Sequence, residues 1–203
     1  MITIVDFGMG NLGSVQNMLT RIEAPSVISS DRNEIAAARK LILPGVGSYD
    51  SAMRRLNDLD LVPVLDQLAL NDRIPILGIC LGMQLLCKGS EEGERPGLGW
   101  IDATARRFPA QKGLKVPHMG WNVVRPTGPS ALTDWMQNEE EPRFYFVHSY
   151  AVEVADPKHS LMKTHYGIDF DAGIHRDNIF GAQFHPEKSH RFGMSLFRAF
   201  VDL

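Results

Sequence analysis

The chain has 203 residues, enough for one compact domain expected to span 1–203 and too few for two of ordinary size. Lysine plus arginine number 21 against 24 acidic residues, a formal charge of −3, which counts against nucleic acid or an anionic membrane as the main partner, since both need clustered positive charge. With 44% apolar and 22% charged residues the composition is globular rather than disordered, and two cysteines, Cys80 and Cys87, are too few for a disulfide framework and point to a reducing compartment.

Met1–Asp6 places an acid straight after a short apolar run, without the basic start and long apolar core of a signal peptide. The longest apolar stretch, Ile74–Cys87, is interrupted by Pro75, Gly78, Gly82 and Gln84 and falls short of a membrane span. A soluble, cytoplasmic protein is the expectation.

In chain order, Ile2–Phe7 predicts a buried strand. Ser14–Glu23 predicts an amphipathic helix, with Val15, Met18, Leu19 and Ile22 on one face. Ser26–Ser29, Leu41–Leu43 and Ile74–Ile79 predict further strands, with helical spacing between them at Tyr49–Leu56 and Leu61–Leu70. Alternating strands and helices around central apolar runs imply a mostly parallel sheet covered on both faces. From Gly99 the texture changes. Trp100–Phe108, Trp121–Val124, Arg143–Val147, Ala151–Val154 and Ile179–Phe184 predict strands with little helix between them. Arg125–Pro142, rich in proline, glycine and acids, is expected to be a surface loop, and a last helix is expected over about Arg191–Val201. The fold class is therefore α/β with a smaller antiparallel addition.

Two segments carry candidate chemistry. Gly8-Met9-Gly10-Asn11-Leu12-Gly13 fits G-x-G-x-x-G after the first strand, with Asp31 eighteen residues beyond Gly13. A dinucleotide fingerprint needs that context, because glycines admit a pyrophosphate to a helix N-terminus and the acid holds a ribose hydroxyl. A first strand-to-helix turn in such a sheet also carries glycines without any cofactor, so both readings stand on these residues.

The second segment, Gly78-Ile79-Cys80-Leu81-Gly82, is a nucleophile elbow with a thiol as nucleophile. The reactive residue sits in a strained turn at the carboxyl end of a central strand, where flanking side chains would clash. Its sulfur is expected to face the N-terminus of the following helix, which favours a thiolate. Cys87 lies in an apolar run without a glycine frame and is expected in the core.

A thiol nucleophile needs a base and the base an orienter. Of seven histidines, His185 stands in Gln183-Phe184-His185-Pro186-Glu187-Lys188. Pro186 biases His185 toward an extended backbone, in which Glu187 shares its face. Cys80, His185 and Glu187 are thus a candidate triad. Pro44-Gly45-Val46-Gly47, after the third strand, is expected to offer backbone N–H groups at Val46 and Gly47 that, with Leu81, form an oxyanion hole. There is no H-E-x-x-H, no clustered Cys/His spacing and no P-loop, so neither a metal nor ATP is expected.

Gly78–Gln84, Pro44–Gly47 and Gln183–Lys188 together resemble the class I, triad-type glutamine amidotransferases. Phe7–Asn11, Pro117-His118-Met119-Gly120-Trp121-Asn122 and Val147-His148-Ser149-Tyr150 narrow the resemblance, over the whole chain, to the glutaminase subunits of imidazole glycerol phosphate synthases. The resemblance implies a flavodoxin-like fold and hydrolysis of glutamine through a thioester on Cys80. It places Gly47, Gln84, Ser149 and Tyr150 at the glutamine pocket. It also implies a (βα)₈-barrel partner that receives the ammonia, faced by Asn11, Trp121, Tyr145 and Lys188, and it turns the glycine-rich loop toward that partner rather than a dinucleotide. Gly13 departs from the family, where a larger residue is expected. His190-Arg191-Phe192-Gly193-Met194 and Tyr166–Phe170 resemble paralogous subunits that serve amidino-sugar synthesis for surface polysaccharides. Subunits for anthranilate or aminodeoxychorismate, and a homologue that docks without catalysing, are the remaining alternatives. In the catalytic readings Gly45–Gly47 is expected to be a switch set by the partner.

Overall fold

A computed structural model describes all 203 residues. The chain begins with β1 (Ile2–Val5), α1 (Leu12–Arg21), β2 (Ser26–Ser29), α2 (Arg32–Ala36), β3 (Leu41–Gly45) and α3 (Tyr49–Asp58). Next come α4 (Val62–Asp66), continued by a π-helical turn at Gln67–Asn71, then β4 (Ile76–Cys80), α5 (Leu81–Leu85), β5 (Gly89–Ser90) and β6 (Ala103–Arg107). The second half holds β7 (His118–Val123), β8 (Arg125–Pro126), β9 (Arg143–His148), β10 (Tyr150–Val154), β11 (Ser160–Tyr166), β12 (Ile168–Arg176), β13 (Ile179–Ala182) and α6 (His190–Asp202).

Strands β2, β1, β3, β4 and β13 run parallel in that order. From β13 the sheet continues through antiparallel β12, β10 and β6 and ends at β5, with β11 pairing both β12 and β8. A separate antiparallel pair, β7–β9, sets Trp121 opposite Tyr145 and His118 opposite His148. The expected architecture, a mostly parallel sheet with a small antiparallel addition, is the one observed.

Alternation along the central strands divides the core in two. Ile42, Leu77 and Ile79 pack on one face with Val15, Met18 and Leu19 of α1 and Leu196, Phe197 and Phe200 of α6. Leu41, Leu43 and Ile76 pack on the other with Ala52, Met53 and Leu56 of α3 and Leu65 of α4. The period-2 pattern of the strands and the 3.6-residue pattern of the helices therefore meet on both sides of one sheet.

Several boundaries differ from the sequence expectation for local reasons. α1 begins two residues early, at Leu12, and β3 runs on through Pro44 and Gly45, so the turn after it is only Val46–Ser48. α2 exists because the Asp31 carboxylate accepts from the Asn33 and Glu34 N–H groups as its N-cap. Arg125–Pro142 is not simply a surface loop. It contains β8 and a 3₁₀ turn at Asp134–Asn138, and it buries Leu132 and Met136 while Trp135 stacks on Phe192. Its acids, with Pro126 and Pro129, are exposed or half-buried and mask these anchors in the sequence. β11 lacks a clean apolar alternation, whereas β12 has one, Ile168, Phe170, Ala172 and Ile174 alternating with Asp169, Asp171, Gly173 and His175, a strand signal that the sequence expectation left out.

The glycine frame fixes how closely β3 approaches the turn between β4 and α5. A Cβ on Gly82 would lie 1.8 Å from the Leu43 carbonyl oxygen, and one on Gly78 would lie 2.7 Å from the Gly82 carbonyl oxygen. By contrast, a Cβ on Gly13 in α1 would meet nothing within 4 Å. Gly82→Ala is expected to cost about 3 kcal/mol or more of unfolding free energy, whereas Gly13→Ala stabilises by roughly 0.5–1 kcal/mol through helix propensity. Urea unfolding of the two variants measures both signs.

Candidate active site

Cys80 ends β4 and precedes α5, with φ +54° and ψ −110°, a region costly for a residue with a side chain. The frame around Gly78 and Gly82 holds it there and directs the sulfur to the carboxyl edge of the sheet. The residue is 7% exposed. α5 has only five residues, so the helix dipole expected to act on the sulfur is small, and its first free N–H groups matter more. Cys87 is fully buried, bonds the Met83 carbonyl oxygen at 3.6 Å, and burial pushes its thiol pKa far up. The two thiols have separate environments.

His185 leaves β13 with φ −102° and ψ 96°, and its backbone is locked on both sides. Its N–H donates to the Tyr145 carbonyl oxygen at 2.9 Å, and its own carbonyl accepts from the Ser189 hydroxyl at 2.6 Å. Glu187 reaches it differently from the sequence expectation. Pro186–Lys188 forms a 3₁₀ turn, so the carboxylate comes back beside the ring by turning, not by strand alternation. The His185 Nδ1–Glu187 Oε1 distance is 2.8 Å, and both side chains are 1% exposed.

With Nδ1 bound to the carboxylate, the buried Nε2 has no hydrogen-bond partner and is the nitrogen left for the Cys80 side of the pocket. Burial opposes a charge on His185, but the Cys80 sulfur and Glu187 carboxylate outweigh it and raise the pKa to about 9.

A cavity of about 350 Å³ opens at this edge. It is lined by Val46, Gly47, Cys80, Leu81, Gln84, Ser149, Tyr150 and His185 among the residues expected from sequence. Gly47 has φ +112°, and a Cβ there would lie 2.6 Å from the S-methyl carbon of Met9.

Sequence reasoning missed Glu92, Pro117, Val147 and His148 as lining residues. Glu92 is held by the Tyr49 N–H at 3.2 Å, and burial raises its pKa. Its loop is pinned because Asp50 of α3 accepts from the Glu94 and Arg95 N–H groups. No periodicity signals such a loop acid. It becomes visible only when α3 is placed beside it.

His148 and His118 form a buried pair with determined tautomers. His148 Nδ1 lies 2.7 Å from the Tyr150 carbonyl, which only accepts, so Nδ1 carries the proton. Its Nε2 must then accept from His118 Nδ1, 3.0 Å away, and His118 Nε2 is left to accept from Asn122 Nδ2 at 3.4 Å. Stacking on Phe146 and Tyr166 encloses His118. Burial holds the pKa of His118 down at about 4 and that of His148 at about 3.

The four residues expected to face a partner fall at one edge. Trp121 is 48% exposed, meets Tyr145 across β7–β9 at 6.1 Å and stacks on His190 at 5.4 Å. The Lys188 ammonium lies 5.7 Å from the Tyr145 ring centre. Asn11 caps α1 without a side-chain bond, and α1 abuts the Pro186–Lys188 turn. The dinucleotide alternative loses its parts: Asp31 is committed to capping α2, and Gly13 answers to no close approach. No three His, Cys, Asp or Glu side chains gather to hold a metal, and no helix is long and apolar enough to cross a membrane.

A strained cysteine framed by glycines, facing a carboxylate-bound histidine across a pocket, is the architecture of a triad-type amidotransferase. The family model for class-I glutamine amidotransferases matches residues 3–203, and the chain belongs to that family. Within it, the chain is 49% identical over 203 residues to "imidazole glycerol phosphate synthase subunit HisH 2" of Pseudomonas aeruginosa, covering all of both. It is 48% identical over 201 residues to the subunit HisH 2 of Methanococcus maripaludis, covering 99% of this chain and 98% of that one. To the subunit HisH of Bdellovibrio bacteriovorus it is 44% identical over 206 residues, with full coverage of both. Among solved structures, PurLQS from Thermotoga maritima superposes with a TM-score of 0.74 at 18% identity, over 99% of this chain and 97% of that one. A crystal structure of a glutamine amidotransferase gives 0.73 at 16% identity, over 100% and 98%. These two share the fold.

The histidines set a pH profile of stability. His118 and His148 are buried neutral while their unfolded forms titrate near 6.5, so the unfolded state takes up protons first and stability falls as pH drops from about 6.5 toward 4. His185, with its raised pKa, contributes stability present below about 6.5 and lost as pH rises toward 9. Urea unfolding is therefore expected to give a maximum near neutrality. His118→Gln should flatten the slope between pH 6.5 and 5, above the carboxylate range.

Proposed function

We propose that this chain is the glutaminase subunit of an imidazole glycerol phosphate synthase. It would hydrolyse glutamine to glutamate and ammonia and pass the ammonia to a (βα)₈-barrel subunit. The observation that carries the reading is Cys80 across the pocket from the His185–Glu187 pair, in a chain related along its whole length to subunits of that name.

The chemistry follows from the groups present. Cys80 gives its thiol proton to His185 and attacks the side-chain amide carbon of glutamine, forming the S–C bond, and the oxyanion meets the N–H groups of Val46, Gly47 and Leu81. A pKa of about 9 keeps His185 protonated near neutral pH, so Nε2 can protonate the departing ammonia as the C–N bond breaks. The imidazole, now neutral, takes a proton from water. Hydroxide adds to the thioester, and the S–C bond breaks to give glutamate. Glu187 holds the ring throughout. Ser149, Tyr150 and Gln84 line the rest of the pocket, and Glu92 is the carboxylate available to the substrate ammonium.

The docking reading rests on exposed apolar side chains. Val46, Val116, Met119 and Trp121 are exposed large apolar residues around or beside the pocket mouth, and β-strand alternation puts Met119 and Trp121 on one face. With Asn11, Tyr145 and Lys188 they are the surface for the barrel protein. A face that covers the pocket mouth keeps ammonia from solvent. The Val46–Gly47 turn lies on it, which supports its role as the switch set by the partner.

A second reading, in which the barrel partner serves amidino-sugar synthesis, rests on the resemblance of His190–Met194 and Tyr166–Phe170 to subunits of that kind. The glutaminase chemistry is common to both, and the acceptor belongs to the partner.

Cys80→Ala is expected to lower glutaminase activity at least about 10³-fold, while Cys87→Ala stays within about threefold, measured as glutamate release by the co-purified complex. Activity surviving in Cys80→Ala sinks the reading. Trp121→Ala should weaken the barrel complex by roughly tenfold or more in a calorimetric titration. Supplying that complex with the ribulosyl aminoimidazole carboxamide nucleotide and looking for imidazole glycerol phosphate separates the two acceptors.

A further inference from the structure

Gln183 is fully buried two residues before His185, and no catalytic step so far uses it. Its Nε2 lies 3.8 Å from the sulfur of Cys80, within the reach of an N–H to sulfur. Its Oε1 accepts from Gln84 Nε2 at 3.1 Å, and the same Gln84 nitrogen donates to the Tyr150 carbonyl oxygen at 3.4 Å.

These contacts decide which end of each amide faces which neighbour. A backbone carbonyl only accepts, so Gln84 must turn its NH₂ toward Tyr150. The second hydrogen of that NH₂ needs an acceptor, which forces Gln183 to present Oε1 to it. The NH₂ of Gln183 then has one direction left, onto Cys80. Reversing Gln183 alone would oppose two donors, and reversing both would oppose Gln84 Oε1 to the Tyr150 oxygen. The carbonyl is itself held by His148 Nδ1–H, which the pairing with His118 and Asn122 backs up. The Gln183 N–H group donates to Ala172 O at 2.9 Å, so the backbone does not swing away.

We infer that Gln183 is a positioning residue for the sulfur of Cys80, its amide N–H turned onto the sulfur by a hydrogen-bond chain anchored at the Tyr150 carbonyl. The inference deepens the glutaminase reading and rests on it. An N–H facing sulfur favours the thiolate, which accepts, over both the thiol and the neutral thioester. It therefore acts at the two moments when sulfur carries charge: before attack on the amide, and when the thiolate leaves the thioester. Had the amide the opposite direction, the oxygen would repel that charge. The direction is set at the far end of the hydrogen-bond chain, by a carbonyl that cannot rotate.

The test is the rate of Cys80 alkylation by iodoacetamide at pH 7, followed by intact mass on the native chain and on folded variants. Gln183→Met keeps the volume and removes the donor, and the rate is expected to fall about tenfold. Gln183→Glu puts an oxygen against the sulfur and should fall further, an ordering that packing alone would not produce. In glutamine turnover the loss in Gln183→Met should appear in kcat, with KM within about twofold. If Gln183→Met does not fold, Gln84→Met releases the Gln183 amide without touching sulfur and should give an intermediate rate. Parental alkylation in the folded Met variants, or equal rates for Met and Glu, overturns the proposal. Alkylation needs no glutamine turnover, so this failure is distinct from that of the glutaminase reading, which stands or falls on Cys80→Ala.

Discussion

Everything at this site depends on how closely two backbones can approach. The Leu43 carbonyl oxygen of β3 sits where any side chain at residue 82 would have to go, and the Gly82 carbonyl also crowds residue 78, though less closely. Because both positions are glycine, β3 and the turn into α5 meet nearly in contact. Cys80 is then carried into a backbone region that a free chain would avoid. The conformation survives because the pairing of β4 with β3 and β13, buried on both faces, over-determines it. The core and the site are one construction: the apolar strands supply the free energy that holds the cysteine in a strained turn.

Around that turn the charges are sorted by partners rather than by depth. His185, His118 and His148 are all buried, yet their pKa values move in opposite directions. His118 and His148 face each other, an amide and a carbonyl, and the hydrogen bond from His148 to the Tyr150 carbonyl offsets only part of the cost of a buried charge, so both stay neutral. His185 faces a carboxylate and a sulfur, and those neighbours reverse the effect of burial. The neutral pair can pass orientation along a chain of hydrogen bonds, whereas the charged one can hold a proton for transfer. Both start from the small β7–β9 sheet, where His118 and His148 pair across strands and the Tyr145 carbonyl takes the His185 N–H. The same sheet turns Met119 and Trp121 to solvent. One two-stranded element thus borders the pocket on one side and the apolar face on the other, and a partner seated on it would bear directly on groups around the sulfur.

The motifs with short, fixed spacing were legible in the sequence because their chemistry needs that spacing. The glycine frame around Cys80, the His185–Glu187 pair, the turn after β3 and the alternating strands and helices of the first half could all be read from residue order. The core role of Cys87 was legible too, from the absence of such a frame. What remained hidden was set by chain segments far apart. Glu92 reaches the pocket because Asp50 of α3 pins its loop, and Leu132 and Met136 are buried because α6 passes beside a stretch that looks polar. Glu187 meets His185 through a 3₁₀ turn rather than by alternation along a strand.

The sequence by itself therefore determined the α/β class, the thiol, the imidazole and the carboxylate, since periodicity and local sterics act over a few residues. Only the tertiary structure decided the protonation of the three histidines, the acid at the pocket and the direction of the Gln183 amide. Those properties depend on which donors, acceptors and charges the fold brings together from opposite ends of the chain, and no local pattern encodes that meeting.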